Sequence, residues 1–389
     1  MRKVDAKKVV LPHSQAKLDL YKKYLEHYLR VLSLASFCTK INLYDIFCGI
    51  GLYEDGNIGS PLIAADRIKA TNVFLGKMAK PVKQISLTIN DNQIDKIQLV
   101  EKLLESKKVK NCTYNYYNKD ADDMLDIAIK EVNTFKDSER SLIFIDPYGY
   151  SDIHKNKIEN LLKNKNTEIV LFLPVMQMYR FTSVALNDYE RKCFINLRNF
   201  INAFFPANHI IHQDKIPNIF EYINEIKKAL SFGGNFFTCS HYLERERGSY
   251  YALFYISPHI YGLDKMVETK WSADPIAGKG FNQEKFNPQG SLFVTEFKEL
   301  DTRKQIDFLK KQILKELKDK QQLNNLEIYK LTLLNEFKPS HANGILKELL
   351  KSKRVKAYNP DNIPINGELG FGISYKDFSS KNVKIIFKL

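Results

Sequence analysis

The sequence predicts an α/β fold, a mostly parallel sheet ending in an antiparallel hairpin, followed by a smaller unit of three helices and a β-ribbon. Three observations predict it. From residue 41 to 173, short apolar runs alternate with amphipathic stretches of about 10 to 15 residues, the rhythm of stacked βαβ units. Two strand-like runs, 236–243 and 250–257, then flank the charged turn Glu244-Arg245-Glu246-Arg247-Gly248. Beyond a connector rich in Gly, Pro and Asn, residues 278–290, the pattern becomes helical and ends in an alternating segment, 370–389.

Composition bounds the function. The 389 residues are 44% hydrophobic and 12% aromatic, which excludes a disordered chain and leaves enough apolar surface for two or three domains. No run of 18 apolar residues occurs, so no membrane-spanning helix is expected. The first 17 residues are basic but lack the apolar stretch of a secretory signal. Five dispersed cysteines, none in a C-x-x-C pair, argue against a disulfide framework and a cysteine-built metal site, so the expected compartment is the cytosol. With 59 Lys and Arg against 45 Asp and Glu, the net charge of +14 favours a polyanionic partner.

The elements follow in order. Residues 14–34 place Leu18, Tyr21, Leu25, Tyr28, Leu29 and Leu32 at helical spacing, with Ser14 as the expected N-cap. Strands are read at 41–47, 85–89, 112–117, 142–145 and 169–173, and helices at 60–70, 92–104, 121–132 and 155–162. Helices at 188–204 and 219–230 precede the hairpin. The last third holds helices at 301–317, 326–337 and 340–350, the third capped by Ser340. Three helices and a ribbon are the ground plan of a winged helix. The expected division is a helical segment 1–40, a sheet domain 41–277, a linker 278–300 and a winged-helix domain 301–389.

The sharpest chemical signal is Asp45-x-Phe47-x-Gly49-x-Gly51 at the end of the first strand, where glycines let the backbone approach a ligand. Position 54 is Glu where a diphosphate-binding turn brings a third glycine, and Asp45, Glu54 and Asp55 repel phosphate. Carboxylates suit a cationic, amino-acid-bearing cofactor, and S-adenosylmethionine carries both a sulfonium and an ammonium. Asn90 or Asp91, closing the second strand, is placed to accept from ribose hydroxyls, or to cap the next helix. Asp120 or Asp122 is a candidate for the adenine amino group, with helix capping the plainer alternative.

Asp146-Pro147-Tyr148-Gly149-Tyr150 ends the fourth strand, where a carboxylate can accept from an amine or hydroxyl and a tyrosine can hold a planar ring. Asp146, Tyr148 and Tyr150 are the candidate catalytic residues. Lys347, Lys351, Lys353 and Arg354, at the end of the third C-terminal helix, are candidate nucleic-acid contacts. Lys107-Lys108-x-Lys110 reads as a solvated face, Trp271 as core, and His154, His209 and His212 as surface residues not spaced as a helical metal pair, with His209-x-x-His212 lacking a nearby acidic partner; no metal site is expected.

These motifs resemble class I S-adenosylmethionine-dependent methyltransferases, whose Rossmann-like sheet is mostly parallel with one antiparallel strand near its end. The resemblance implies that Asp45, Phe47, Gly49 and Gly51 line the methionine part of the cofactor, Asn90 or Asp91 the ribose, and Asp120 or Asp122 the adenine. Asp146-Pro147-Tyr148 sits where DNA amino-methyltransferases carry Asp/Asn-Pro-Pro-aromatic, with Tyr148 replacing the second proline. The chain is also similar, over residues 14–355, to the bacterial three-Cys-motif partner (TcmP) family. The matching features are residues 45–53, Gly59-Ser60-Pro61-Leu62, residues 144–149, the 251–271 stretch and Pro339-Ser340-His341-Ala342. That resemblance implies an adjacent-gene partner carrying a three-cysteine motif. The expectation is a cofactor-dependent methyltransferase acting on DNA or RNA. Its rivals are a non-catalytic nucleic-acid-binding sensor or adaptor and a metal-dependent nuclease using Asp120, Asp122 or Asp146.

Overall fold

The structure, a computed structural model, describes residues 10–213, 215–246, 248–281, 294–365 and 370–389. The described chain forms two compact units, one running to Gly262 and the other made of residues 263–280 with the C-terminal segment.

The first unit is a mixed α/β structure around a large, mostly parallel sheet. Its long strands are β1 (Lys40–Asp45), β2 (Gln84–Asn90), β3 (Cys112–Tyr117), β4 (Glu139–Ile145), β5 (Thr167–Leu173), β6 (Phe237–Glu246) and β7 (Ser249–Ser257). They lie in the order β3-β2-β1-β4-β5-β7-β6. The first five are parallel, and β7 runs antiparallel to both β5 and β6. The chain winds outward from β1 to β3, then returns to lay β4 on the other flank of β1. That reversal opens a crevice at the carboxyl ends of β1 and β4, where doubly wound sheets bind ligands. β5, reading TEIVLFL, is buried along its whole length, as a strand covered on both faces must be.

Helices α1 (Pro12–Leu34), α2 (Ser60–Lys77), α3 (Ile94–Lys107), α4 (Ala121–Val132), α5 (Lys155–Leu162), α6 (Val175–Asn187), α7 (Ile195–Phe204) and α8 (Ile219–Ala229) cover the sheet. All six apolar positions read for α1 are buried, and Tyr21 stacks on Phe144 of β4 at 4.3 Å. The expected N-terminal helical segment is therefore, over residues 12–34, a covering layer of the sheet. α1 starts at Pro12, with Leu11 as N-cap instead of Ser14, because proline at the first helical position loses no hydrogen bond. α6 was not foreseen: it follows Pro174 without a polar cap and inserts Met178 and Thr182 into the core. The expected helix 188–204 is reduced to a 3-10 turn and α7.

The second unit begins inside the helix Ile260–Ala273, ahead of the expected boundary at 277. Side chains of that helix bond within the C-terminal segment: Asp264 Oδ2 accepts from Tyr329 at 2.7 Å, and Trp271 Nε1–H donates to the Glu336 carbonyl at 2.8 Å. Trp271 is accordingly core, 3% exposed. Residues 282–293 of the expected linker lie outside the described residues, and helix Val294–Lys320 already covers 294–300. Helices Asn325–Leu334 and Pro339–Lys351 follow, the first opened by a reciprocal capping box between Asn324 and Glu327. The second starts at Pro339 with Lys338 as N-cap, not Ser340.

Strands Lys356–Tyr358, Ile386–Lys388 and Gln322–Asn324 form an antiparallel sheet with Ile386–Lys388 in the middle. The expected ribbon 370–389 is instead a one-turn helix, Tyr375–Ser379, and a single strand. Ser374 caps the helix by accepting from the Asp377 amide, and Lys384 pins the Asp377 carboxylate at 2.7 Å.

Candidate functional site

A cleft of about 470 Å³ opens where the sheet order reverses. The turn after β1 contributes Phe47, Cys48, Gly49 and Ile50; the turn after β4 contributes Asp146, Pro147 and Tyr148. On the β2 side stand Gln93 and Lys96. On the β5–β7–β6 side stand Phe172, Tyr251 and Arg245, closed over by His13 and Lys17 of α1.

The two glycines of the turn do different work. Gly49 has φ +63° and open space where a Cβ would point, so it serves the left-handed bend at the cleft. Gly51, φ +71°, would put a Cβ 2.9 Å from the Val100 side chain, and its carbonyl accepts from the Gly59 amide at 2.6 Å. It joins the turn to the start of α2, a packing role.

Asp45 lies beneath this turn, 1% exposed, and neither carboxylate oxygen makes a hydrogen bond of good geometry among the described residues. Burial pushes its pKa up to about 7; nearby Ser60, the Phe47 amide and Lys17 oppose the rise, while Asp146 adds to it. Asp91, also buried, is fully engaged. Its carboxylate accepts from the Gly49 amide at 3.2 Å and the Gln93 amide at 3.0 Å, and faces the Lys96 ammonium at 3.2 Å. Burial acts to lower the Lys96 pKa, but Tyr148 and Asp91 outweigh it and hold the value above the ordinary one. Asn90 spends its side chain on backbone: its Nδ2 donates to the carbonyls of Ile46 and Lys119, and its Oδ1 accepts from the Lys119 amide.

Asp146 forms an ion pair with Lys17, whose ammonium also lies over the Phe172 ring, 4.6 Å from its centroid. Phe172, Tyr251 and His13 stack in series at 5.4 and 5.5 Å. Burial, then Arg245 and Lys17, lower the His13 pKa to about 4, so this ring is neutral at pH 7. Tyr148 is 86% exposed at the rim, its hydroxyl 3.3 Å from Lys96.

The structure thus brings Phe47, Gly49, Asp146 and Tyr148 into one cleft, with Asp45 and Asp91 directly behind it. Tyr150 lies apart, edge-on to Phe200. Asp120 occupies the N-cap position of α4, and Asp122 is exposed and paired with Lys157 at 2.7 Å; neither lines the cleft. Among the described residues no three His, Cys, Asp or Glu side chains converge to hold a metal ion. His209 does have an acidic partner, Glu225, 2.9 Å away and 16 positions along the chain. No described helix is long and apolar enough to cross a membrane.

Sequence reasoning missed Lys17, Lys96, His13, Phe172, Tyr251 and Arg245. Two of these had a local signal. Lys17 precedes Tyr21 and Tyr24 on the buried stripe of α1, and Lys96 precedes Val100 and Leu104 on that of α3. A lysine on an apolar stripe needs a partner.

In the second unit, Lys347, Lys351, Lys353 and Arg354 are all exposed.

No protein-family model matches the chain, and no curated protein does. Among solved structures it is similar to a Klebsiella pneumoniae protein assigned as an O-methyltransferase, with 11% identity and a TM-score of 0.29 over 61% of this chain and 80% of that one. It is also similar to a DUF574-family protein from Streptomyces avermitilis, with 10% identity and a TM-score of 0.30 over 61% and 83%. Overlaps this loose carry no residue correspondence; the sheet assignment stands on its strand order and registers.

Proposed function

We propose that this chain binds S-adenosylmethionine in the cleft between β1 and β4 and acts as a methyltransferase on nucleic acid. The observation that carries the reading is the buried Asp45 carboxylate, without a well-formed hydrogen bond, beneath a glycine turn at the reversal point of a doubly wound sheet. A buried, under-satisfied carboxylate is costly unless a cation or donor reaches it, and the cofactor's ammonium is such a group. Phe47, Gly49 and Ile50 would hold the methionine part; Gln93 and Lys96, at the β2 side, would face the ribose. When bound, the cofactor supplies a methyl group on a positively charged sulfur.

The chain's own residues would orient the acceptor. Asp146 accepts a hydrogen bond from the acceptor's N–H or O–H, and its ion pair with Lys17 orients the carboxylate at the cleft. Phe172 and Tyr251 exclude water from one flank. Holding two reactants in register is the larger part of what such a site contributes. The test is transfer of isotopically labelled methyl from the cofactor to mixed DNA and RNA. Label is expected in one of the two with wild-type protein and none with Asp146→Ala; equal transfer by the variant removes Asp146 from the mechanism.

We read the C-terminal unit as a winged helix. The order helix, strand, helix, helix, strand, one-turn helix, strand, with its antiparallel sheet, supports this, the one-turn helix Tyr375–Ser379 standing between the last two strands. The exposed Lys347, Lys351, Lys353 and Arg354 suit phosphate contact.

One observation favours a second, non-catalytic reading, an adaptor working with a three-Cys-motif partner. Asp146 is already neutralised by Lys17, and Asp91 by Lys96 and two amides. Cofactor binding without transfer to any nucleic acid would favour that reading.

A further inference from the structure

The amino-terminal edge of the sheet, opposite the cleft, carries a charge asymmetry that the proposed reaction does not use. Residues 67–90, from mid-α2 through β2, contain five cations and no Asp or Glu; residues 106–119, from the end of α3 through β3, contain four cations and again none. Nine of the chain's 59 Lys and Arg thus fall in two acid-free stretches that the fold makes neighbours, as β2 and β3 pair in parallel from Ile85 and Cys112 onward; of these Lys119 lies past the carboxyl end of β3 and does not belong to this edge.

The loops that open these strands are tied together. The Ile85 amide donates to the Asn111 carbonyl at 3.0 Å, and Asn72 Nδ2 donates to the Lys110 carbonyl at 2.8 Å. Ala79, Lys108 and Asn111 hold left-handed backbone, with φ of 53°, 44° and 55°, which fixes how each loop turns. The result gathers Lys77, Lys80, Lys83, Lys108 and Lys110. Four of them are exposed, Lys83 is half-buried, and none forms an ion pair among the described residues. Neighbouring acids are few: Asp66 is taken by Lys107 at 2.6 Å, Glu139 lies 3.9 Å from Lys40, and Glu105 stands one turn before Lys108. A surface that mixed its charges for solubility alone would intersperse acids among these lysines.

We propose that this edge is a docking surface for the phosphodiester backbone of nucleic acid, separate from the cleft and from the C-terminal helix. Five ammonium groups on a scaffold of two hydrogen-bonded loops suit a line of regularly spaced phosphates, and lysine contacts to phosphate position a strand without reading its sequence. A β2 strand of seven residues separates edge from cleft by roughly 20 Å, so a strand held here would reach the site from outside it. The exposed Val73 and Met78 nearby are single residues rather than an apolar helix face, which disfavours a membrane as the partner.

The test uses the full chain and fluorescein-labelled DNA duplex, single-stranded DNA and single-stranded RNA of mixed sequence, read by anisotropy across a salt series. The variant Lys77→Glu/Lys80→Glu/Lys108→Glu/Lys110→Glu is expected to weaken binding by about tenfold or more on at least one of the three. On the duplex, four lost phosphate contacts would make the slope of log K against log salt shallower by about 3 to 4. Cofactor binding, measured on the same sample by calorimetry, should be unchanged, so failure of this proposal and failure of the cofactor reading are separable. Should the reversals lower the melting temperature, the neutral Lys→Gln set at the same positions carries the reading, with a smaller loss of affinity and a similar change of slope. Unchanged affinity and slope in either folded variant would overturn the proposal. So would absence of nucleic-acid binding by the wild type, or binding to anionic phospholipid vesicles that the variant alone loses.

Discussion

Replacing Lys96 with methionine tests whether the turn at Gly49 is held from behind. The Lys96 and Asp91 side chains are only 8% and 5% exposed, and their charged ends sit 3.2 Å apart. Methionine keeps most of the aliphatic stem and removes the ammonium, leaving a buried carboxylate with two amide donors, Gly49 and Gln93. Breaking a buried pair from one side costs about 3–5 kcal/mol when nothing else compensates. The remaining amides satisfy part of the charge, so the cost drops below that range, to about 2–3 kcal/mol. At about 2–4 °C per kcal/mol for a unit of this size, melting should fall by about 5–10 °C. The loss should change little with salt, because a buried pair is poorly screened. Lys96→Met/Asp91→Asn removes the stranded charge and should recover about half the loss, giving a coupling above about 1 kcal/mol in a double-mutant cycle. The assay is thermal unfolding of the four proteins followed by circular dichroism. A loss under about 0.5 kcal/mol with no coupling would mean that the pair is solvated and does not hold the turn.

Other outcomes follow from the same geometry. Asp45, raised to about 7 by burial, is favoured in its neutral form in the folded chain. Its folded pKa lies above the unfolded one, so the contribution of Asp45 to stability falls as pH climbs from about 4 to 7, by on the order of 4 kcal/mol. Asp45→Asn should therefore match the wild type at pH 4 and melt higher at pH 8 in the absence of ligand; equal melting at both would contradict the burial argument. Gly51→Ala combines a left-handed backbone with a 2.9 Å clash and should cost about 2–4 kcal/mol, whereas Gly49→Ala meets open space and should cost only about 1–2 kcal/mol. Urea midpoints of the two variants decide it, and equal losses would refute the division of roles. Lys347→Glu/Lys351→Glu should weaken duplex binding and make its salt slope shallower by about 2; a salt-independent loss would point to protein docking instead.

The sheet was legible because its signals are local. Apolar runs such as 85–89 and 169–173 announce strands wherever they pair, and the turn after Asp45 is visible in its glycines. α6 was hidden because Val175–Asn187 follows Pro174 without a polar cap, and its apolar residues Val175, Met176, Met178, Tyr179 and Phe181 do not confine themselves to one face. The C-terminal ribbon failed for the opposite reason. Phe371 and Ile373 alternate like a strand and are buried, but Ser374 caps a helical turn one residue later.

At the site, the sequence showed which residues end β1, β2 and β4 but not what reaches them from elsewhere. Lys17 meets Asp146 across 129 positions, and Arg245 and Tyr251 arrive from a hairpin whose place beside β5 is set by sheet order. Asn90 looked like a ribose ligand because its position at a strand end is where such ligands sit. Only the tertiary structure reveals that its amide is consumed in joining the ends of β1 and β3.

Isothermal titration of the wild-type chain and Asp45→Asn with S-adenosylmethionine at pH 8 tests the central claim most directly. A saturable one-to-one isotherm with the wild type, weakened about tenfold or more by the substitution, is the predicted result. No heat with the wild type, or equal affinity in the two proteins, would contradict it.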